Sequence, residues 1–461
     1  MSRTLLIPLI VACALFMEQM DSTVIATSLP MIATDLGESP IALKLALTSY
    51  LVSLAVFIPV SGWMADRFGA RTVFRAAIAV FMGGSILCGL SSSLASFVAA
   101  RFLQGMGGAM MVPVGRMVIL RSVSKTELVQ ALNYLTIPAL IGPIIGPPLG
   151  GLITTYLNWR WIFFINIPIS VLGIYLATRF IENLRVERVP PLDWLGFVLS
   201  ALGLSLAMLG LATAGRHLVS ARVSFGCVAL GAAALVVYYR HAKRAAHPLL
   251  RLDLFRLQTF RVGVLGGSLF RMGIGALPFL LPLFLQLGFG MTPFQSGLLT
   301  CSSAAGSMFM KTLSRKILKR FGFRNVLRFN LAFASASLMA IACFTMRTPH
   351  LAIAVILLFG GVFRSLQFTS LNALSYADVE HAEVSQASSI ASAVQQLSLG
   401  MGVTVGAFAL QASSALQGHA ELVAADFWPA FVLIGLLALG SLRFILQLPG
   451  DAGAEISGKI A

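Results

Sequence analysis

Long apolar runs recur along the whole chain, and they decide what it can fold into. A helix that crosses a bilayer needs about 20 mostly apolar residues. Roughly fourteen stretches of the 461-residue chain meet that length, centred near residues 17, 54, 82, 107, 144, 171, 203, 231, 274, 303, 334, 360, 399 and 437. They are about twice as long as the strands of a membrane barrel and lack the alternation that a barrel wall requires. The expected fold class is an all-α membrane protein with 14 transmembrane helices. Composition agrees: 57% of residues are apolar and 11% charged, where a soluble domain carries about 25% charge. So few charges cannot cover a water-facing surface, and lipid must be the solvent for most of the chain.

The N-terminus carries Arg3 ahead of an apolar run, as a signal peptide does. The run extends to about Leu29, contains Glu18 and Asp21, and lacks a small-x-small cleavage site, so it reads as an uncleaved first transmembrane helix.

A net charge of +16 could suggest nucleic acid, but the basic residues lie in short breaks between apolar runs and form no basic domain. Alternate breaks hold Arg67, Arg71 and Arg75; Arg121 and Lys125; Arg179, Arg185 and Arg188; Arg240, Lys243, Arg244, Arg251, Arg256 and Arg261; and the run from Lys311 through Arg315, Lys316, Lys319, Arg320 and Arg324 to Arg328. The opposite breaks hold only Lys44, Arg160, Arg216, Arg222 and Arg347. Cytoplasmic loops are the basic ones, so both termini are expected in the cytoplasm. One inside loop, with Asp378, Glu380 and Glu383, is acidic and departs from the rule. The cysteines Cys13, Cys88, Cys227, Cys301 and Cys343 each stand alone in apolar sequence, with neither metal-ligand spacing nor a disulfide framework.

A faint repeat relates Asp66-Arg67-Phe68-Gly69-Ala70-Arg71, after the second helix, to Lys319-Arg320-Phe321-Gly322-Phe323-Arg324, after the tenth. If the seventh and eighth helices are an insertion, these loops occupy matching places in two six-helix halves around a central cavity, as in many secondary transporters. The expected division is an N-terminal bundle over 1–190, two inserted helices over 191–245 and a C-terminal bundle over 246–461. Pro190-Pro191 and the basic stretch 240–261 flank the insertion.

Glu18 and Asp21 lie three apart in the first helix and share a face. An ionisable group inside a bilayer is a functional candidate by default. A carboxyl facing a hydrated cavity can load a proton from one side, release it to the other, and attract a cation when ionised. The plainer reading is a buried pair satisfied by hydrogen bonds. Arg101 and Arg116 lie about four turns apart in the fourth helix and project to roughly one side. They are placed to pair with the first-helix carboxylates, unless Arg101 simply snorkels to the outer surface. Arg271 and Arg364 are isolated counterparts in the C-terminal half.

Gly62, Asp66, Arg67, Gly69 and Arg71 fall in a tight cytoplasmic turn. Asp66 there can hold a helix end through its dipole and pair with Arg71, forming a charge latch at the inside gate. The fifth helix carries Gly142-Pro143, Gly146-Pro147-Pro148 and Gly150-Gly151. Prolines bend a spanning helix and glycines let a neighbour approach, so this stretch reads as a pliable, tightly packed hinge.

At these residues the chain resembles the major facilitator superfamily, and within it the fourteen-helix drug–proton antiporters of the EmrB/QacA type. The resemblance covers essentially the whole chain. It rests on Met20-Asp21-Ser22-Thr23-Val24 through Leu29-Pro30 in the first helix, on the gate motif from Gly62 to Arg71, and on Arg101 to Gly108 in the fourth helix. Gly142, Gly146, Pro147, Gly150 and Gly151 match the antiporter motif of the fifth helix, followed by the run Asn158 to Pro168 that is typical of this branch. Two features depart from the pattern. Asn133 stands where antiporters usually place a glycine, and Glu18 is not part of the common signature. The resemblance implies export of small lipophilic or cationic compounds from the cytoplasm across a bacterial inner membrane, in exchange for protons. It implies no cofactor beyond the proton gradient, no enzymatic activity, no nucleic-acid partner, and function as a monomer within the lipid bilayer.

The alternative is an exporter of a defined metabolite such as an organic acid, with Arg101, Arg116, Arg271 and Arg364 binding the anion. An enzyme or receptor is disfavoured. His217, His241, His247, His350, His381 and His419 share no motif spacing, and no GxxxxGK[ST] phosphate loop is present.

Overall fold

The computed structural model describes residues 3–122, 128–183, 189, 191–213, 220–245, 248–250, 252–380, 383–419, 421–450 and 452–453. The side chains at 3–5, 116, 120–122, 128–140, 221 and 385 are outside that description. Pro190, Lys125, Arg185, Arg188, Arg216, Arg251, His217, His247 and His381 therefore lie outside the described residues, as do the side chains of Arg116, Arg121 and Asn133. Among the described residues every regular element is helical and none is a strand.

The chain divides into two compact units, Met1–Leu249 and Leu250–Ala461. The first contains α1 (Arg3–Asp35), α2 (Lys44–Phe68), α3 (Ala70–Leu90), α4 (Leu94–Ser122), α5 (Leu128–Tyr156), the short α6 (Trp161–Phe164) leading into α7 (Asn166–Phe180), and the hairpin α8 (Trp194–Thr213) and α9 (Ala221–Ala242). Helix α1 packs along α5, α4 packs on both α2 and α3, and α8 lies against α2. The hairpin thus belongs to this unit, joined to it partly by aromatic contacts of Trp63 with Trp194 and of Phe57 with Phe197.

The second unit opens with α10 (Gln258–Arg261), a π-helical turn over Val262–Gly266, α11 (Gly267–Gly275), α12 (Leu277–Leu283) and a second π-helical turn over Phe284–Gly288. It continues with α13 (Pro293–Phe321), α14 (Phe323–Met339), α15 (His350–Leu374), α16 (Val384–Gln417), α17 (Ala424–Gly440) and α18 (Leu442–Ile445). Helix α15 packs on α13 and α14, and α16 packs on α11 and α17.

By length and composition, 12 helical spans among the described residues can cross a membrane. This falls short of the expected fourteen. The fifth and tenth positions are held by α5 and α13, each of 29 residues. Helix α13 intersperses Gln295, Ser296, Ser302, Ser303 and Ser307 among its apolar residues and ends in the basic run Lys311, Arg315, Lys316, Lys319 and Arg320, so it is less apolar than the other spans, and α5 begins among residues described only in part.

The repeat seen in sequence has a local structural form. Gly69 separates α2 from α3 with φ of 93°, and Gly322 separates α13 from α14 with φ of 76°. Both are backbone conformations that L side chains rarely adopt. The same sequence separation relates Pro40, which opens the 3-10 turn leading into α2, to Pro293 at the start of α13. It also relates Gly108, close to Tyr50 and Leu54 of α2, to Gly361, close to the Ser303 backbone of α13. On that register Glu18 corresponds to Arg271.

Candidate functional site

Asp21 lies inside the first unit and is 3% exposed. Three neighbours donate to its carboxylate. Arg101 Nη1 reaches Oδ2 at 2.7 Å, while Gln104 Nε2 and Asn166 Nδ2 reach Oδ1 at 2.9 and 2.8 Å. The Ser85 hydroxyl ties the two amides together, accepting from Gln104 at 2.8 Å and from Asn166 at 3.3 Å. Four helices therefore meet at one carboxylate: α1 through Asp21, α3 through Ser85, α4 through Arg101 and Gln104, and α7 through its first residue, Asn166.

Local sequence explains the convergence. Arg101 and Gln104 are three residues apart and share a helix face. Glycines let α3 and α4 close up beside them. A Cβ on Gly84 would stand 2.5 Å from the Gln104 backbone, and one on Gly107 would stand 2.5 Å from the Phe81 backbone. Asn166 is aimed inward because α6 and α7 are separate helices, breaking at Ile165. Phe163, packed edge-on against Phe97, fixes the approach.

Glu18 sits one turn before Asp21 and is also buried. Its partner is the Tyr50 hydroxyl, which donates to Oε1 at 3.3 Å. No cation among the described residues is ion-paired to Glu18. The Arg101 guanidinium instead lies 4.3 Å from the centre of the Tyr50 ring, a cation–π contact. Both first-helix carboxylates thus face protein rather than lipid, in different surroundings. Asp21 is neutralised by Arg101, which is buried and does not snorkel to the surface. Arg116 belongs to α4, with its side chain outside the described residues.

Sequence reasoning missed Tyr50, Ser85, Gln104 and Asn166 as members of this cluster. Gln104 and Asn166 stand inside the motifs quoted above and could have been found as polar residues at helix spacing from Arg101 or at a helix start. Tyr50 and Ser85 are single polar groups in apolar sequence and carry no such signal.

Arg271 and Arg364 belong to the second unit and are both buried. Arg271 is held by carbonyls of the first π-helical turn, donating to Gly263 at 3.1 Å and Val264 at 3.4 Å, and by Asn372 Oδ1 on α15 at 2.7 Å. Arg364 donates to the hydroxyls of Ser337 at 3.1 Å and Ser303 at 2.8 Å.

At the α2–α3 turn, Gly69 has no room for a side chain, since an added Cβ would collide with Asn183. Asn183 in turn accepts from the Thr72 amide at 3.2 Å. Arg71 Nη1 donates to the carbonyl of Ile181, which caps the end of α7, at 3.3 Å. Arg71, a cation suited to a helix C-terminus, thus holds the end of α7 at this corner. Arg67 is exposed, and Gly62 has open space beside it.

The glycines of α5 face α1. Added Cβ atoms would stand 3.1 Å from the Met20 amide at Gly142, would collide with Thr23 at Gly146, and would reach 2.9 Å from the Thr27 hydroxyl at Gly150. One turn further, Ser28 and Thr154 share a hydrogen bond of 2.6 Å, and the Thr27 hydroxyl reaches the Pro147 carbonyl at 3.4 Å. Glycine at every fourth position forms a groove, and the groove holds the segment of α1 that carries Asp21. Pro143 and Gly151 fall on the same stretch of α5.

A family model for the Major Facilitator Superfamily matches residues 11–403 and, in a second alignment, residues 263–455. The chain belongs to this superfamily. Superfamily relatives from Salmonella dublin and Klebsiella pneumoniae are similar to it along most of its length. The first is 40% identical over 399 residues, 86% of this chain and 84% of its own. The second is 38% identical over 452 residues, 97% and 95% of the respective chains. Both carry the provisional name multidrug resistance protein MdtD. Among solved structures, a D-xylose–proton symporter aligns with a TM-score of 0.69 at 16% identity, covering 97% of this chain and 98% of its own. A POT family transporter in complex with a thioalcohol-conjugated peptide aligns at 0.70 and 15%, covering 96% and 94%. These likenesses concern the superfamily fold.

Proposed function

We propose that the protein is a proton-coupled antiporter that exports small lipophilic or cationic compounds from the cytoplasm, a multidrug efflux transporter of a bacterial inner membrane. In this reading α5 and α13 complete fourteen spanning helices, with α8 and α9 inserted between two related six-helix sets and both termini in the cytoplasm. The names of the MdtD relatives support multidrug efflux.

The observation that carries the coupling is the difference between Glu18 and Asp21. Asp21 and Arg101 cancel each other's charge at 2.7 Å. Among the described residues, the hydrogen-bond partner of Glu18 is a neutral hydroxyl. With Glu18 protonated, the three-residue set Glu18, Asp21 and Arg101 carries no net charge. With Glu18 ionised it carries one negative charge, which lipid surroundings make expensive and a cationic substrate offsets. Proton and cation then compete for one carboxyl, and exchange follows because each favours a different charge state. Arg101, over the ring of the Tyr50 whose hydroxyl donates to Glu18, couples the two carboxylates. The α5 groove lets α1 shift without losing its packing, and the Gly62–Arg71 turn latches the cytoplasmic end.

The test is export of tetraphenylphosphonium by proteoliposomes under an imposed pH gradient, alongside a panel of neutral and anionic compounds. Accumulation that requires the gradient and disappears in Glu18→Gln supports the reading. Wild-type accumulation by Glu18→Gln retires Glu18 as the proton site.

A further inference from the structure

Three arginines with described side chains are buried in the helical body: Arg101, Arg271 and Arg364. Two of them have strong acceptors. Arg101 has the Asp21 carboxylate, and Arg271 has two backbone carbonyls and an amide oxygen. Arg364 differs. It is 6% exposed, and among the described residues its guanidinium donates to the hydroxyls of Ser303 and Ser337 alone. A guanidinium has five N–H donors in a fixed fork, and two of them are taken. No carboxylate among the described residues is ion-paired to it.

We propose that Arg364 and Ser303 form a binding site for the carboxylate of an organic anion within the second unit. The serines show which side is incomplete. The Ser337 hydroxyl spends its own proton on the Ala334 carbonyl at 2.7 Å. The Ser303 hydroxyl accepts from Arg364, and its proton has no acceptor among the described residues. Cation and hydroxyl therefore present donors from α15 and α13 with no anionic acceptor between them among the described residues. Ser303 and Ser337 are each half-buried, so the guanidinium lies one side chain beneath the surface of its unit.

The site is also shaped. Arg364 lies back along its own helix over Gly360, where an added Cβ would stand 2.5 Å from Nη1. The missing side chain makes the notch that holds the guanidinium beside Ser303. One cation and one hydroxyl match a monoanion, and a carboxylate's two oxygens can take one donor from each. A phosphate dianion would leave a charge buried without a partner. The inference rests on reading the chain as an exporter, and it adds acidic compounds to the substrates by way of residues separate from Glu18.

The test is thermal unfolding of the purified full chain with 2-naphthoate, with its neutral amide 2-naphthamide, and with sodium chloride at equal concentration. Naphthoate is expected to raise the unfolding temperature where the other two do not. Arg364→Gln is expected to abolish the difference. Gly360→Ala keeps every hydrogen-bonding group but displaces the guanidinium, and is expected to weaken naphthoate at least tenfold. It decides the matter should Arg364→Gln fail to fold. Equal shifts from naphthoate and naphthamide, an equal shift from chloride, or undiminished naphthoate binding by either variant overturns the site. Transport on the wild type separates the two ideas. If neither naphthoate nor tetraphenylphosphonium moves under a pH gradient while naphthoate still stabilises, the exporter reading falls and the site stands.

Discussion

Glu18 and Arg101 meet on one aromatic ring. Tyr50 donates its hydroxyl to Glu18 at 3.3 Å and presents its ring face to the Arg101 guanidinium at 4.3 Å. Glu18, with no cation paired to it among the described residues, and the cation already committed to Asp21 thereby share one side chain, and a change in one is felt by the other. Tyr50→Phe should leave the cation–π contact and remove the hydrogen bond. The expected outcome is a protein that still folds and exports tetraphenylphosphonium, with a shifted pH dependence of export. An unchanged pH profile would remove Tyr50 from the coupling.

Asp21 and Glu18 should separate cleanly in stability. Asp21→Asn leaves Arg101 buried without its counter-charge, a loss of about 3–5 kcal/mol for a buried pair broken on one side. Glu18→Gln breaks no ion pair, and its expected effect is about 1 kcal/mol. Thermal unfolding of the two purified variants distinguishes them. In a double-mutant cycle, Asp21→Asn with Arg101→Gln should be less destabilised than the sum of the single changes.

The α5 groove makes a contrast between glycines of one chain. Gly146→Ala would drive a methyl into Thr23 on α1 and should destabilise by about 1–3 kcal/mol. Gly62→Ala, with open space around it, should change stability by no more than about 0.5 kcal/mol. Equal unfolding temperatures for the two variants would show that α1 and α5 do not depend on their close approach.

Asp193, just ahead of α8, bonds to His241 at 2.7 Å and accepts from the amides of Gly196 at 2.8 Å and Leu249 at 3.3 Å. Burial alone would raise its pKa, but these hydrogen bonds outweigh burial and hold the carboxyl below its ordinary value of 3.8. A depressed carboxylate stabilises fully above its unfolded value, and that contribution is lost as pH falls through the folded one. The hairpin's anchorage should therefore persist at neutral pH and weaken in acid. Asp193→Asn should remove that acid-dependent part of unfolding. A variant with the same acid sensitivity as the wild type would assign it elsewhere.

The membrane class, the α2–α3 turn, and the pairing of a fourth-helix arginine with a first-helix carboxylate were legible because each is written in a local pattern. Apolar length, glycine between two helices, and charge in lipid all have direct physical readings. The rest of the Asp21 cluster was not legible, because Ser85 and Asn166 matter only once α3 and α7 are brought beside α1. Nothing within a single helix says which polar residue will face which. The spanning count differed because α13 intersperses serines among its apolar residues and ends in a basic run. Arg71 shows the limit most plainly. Its motif marked a corner, but the helix end it holds, that of α7, lies far along the chain.

The two π-helical turns, at Val262–Gly266 and Phe284–Gly288, bracket the second unit's counterpart to α1. A π turn is an α-helix with a surplus residue. The surplus offsets the residues on its two sides by about 100° around the helix axis relative to an unbroken α-helix. Arg271 donates to two carbonyls of the first turn and so ties it to the helix about two turns on. The first unit's helix is a continuous α-helix of 33 residues, whereas its counterpart departs from α-helical hydrogen bonding twice.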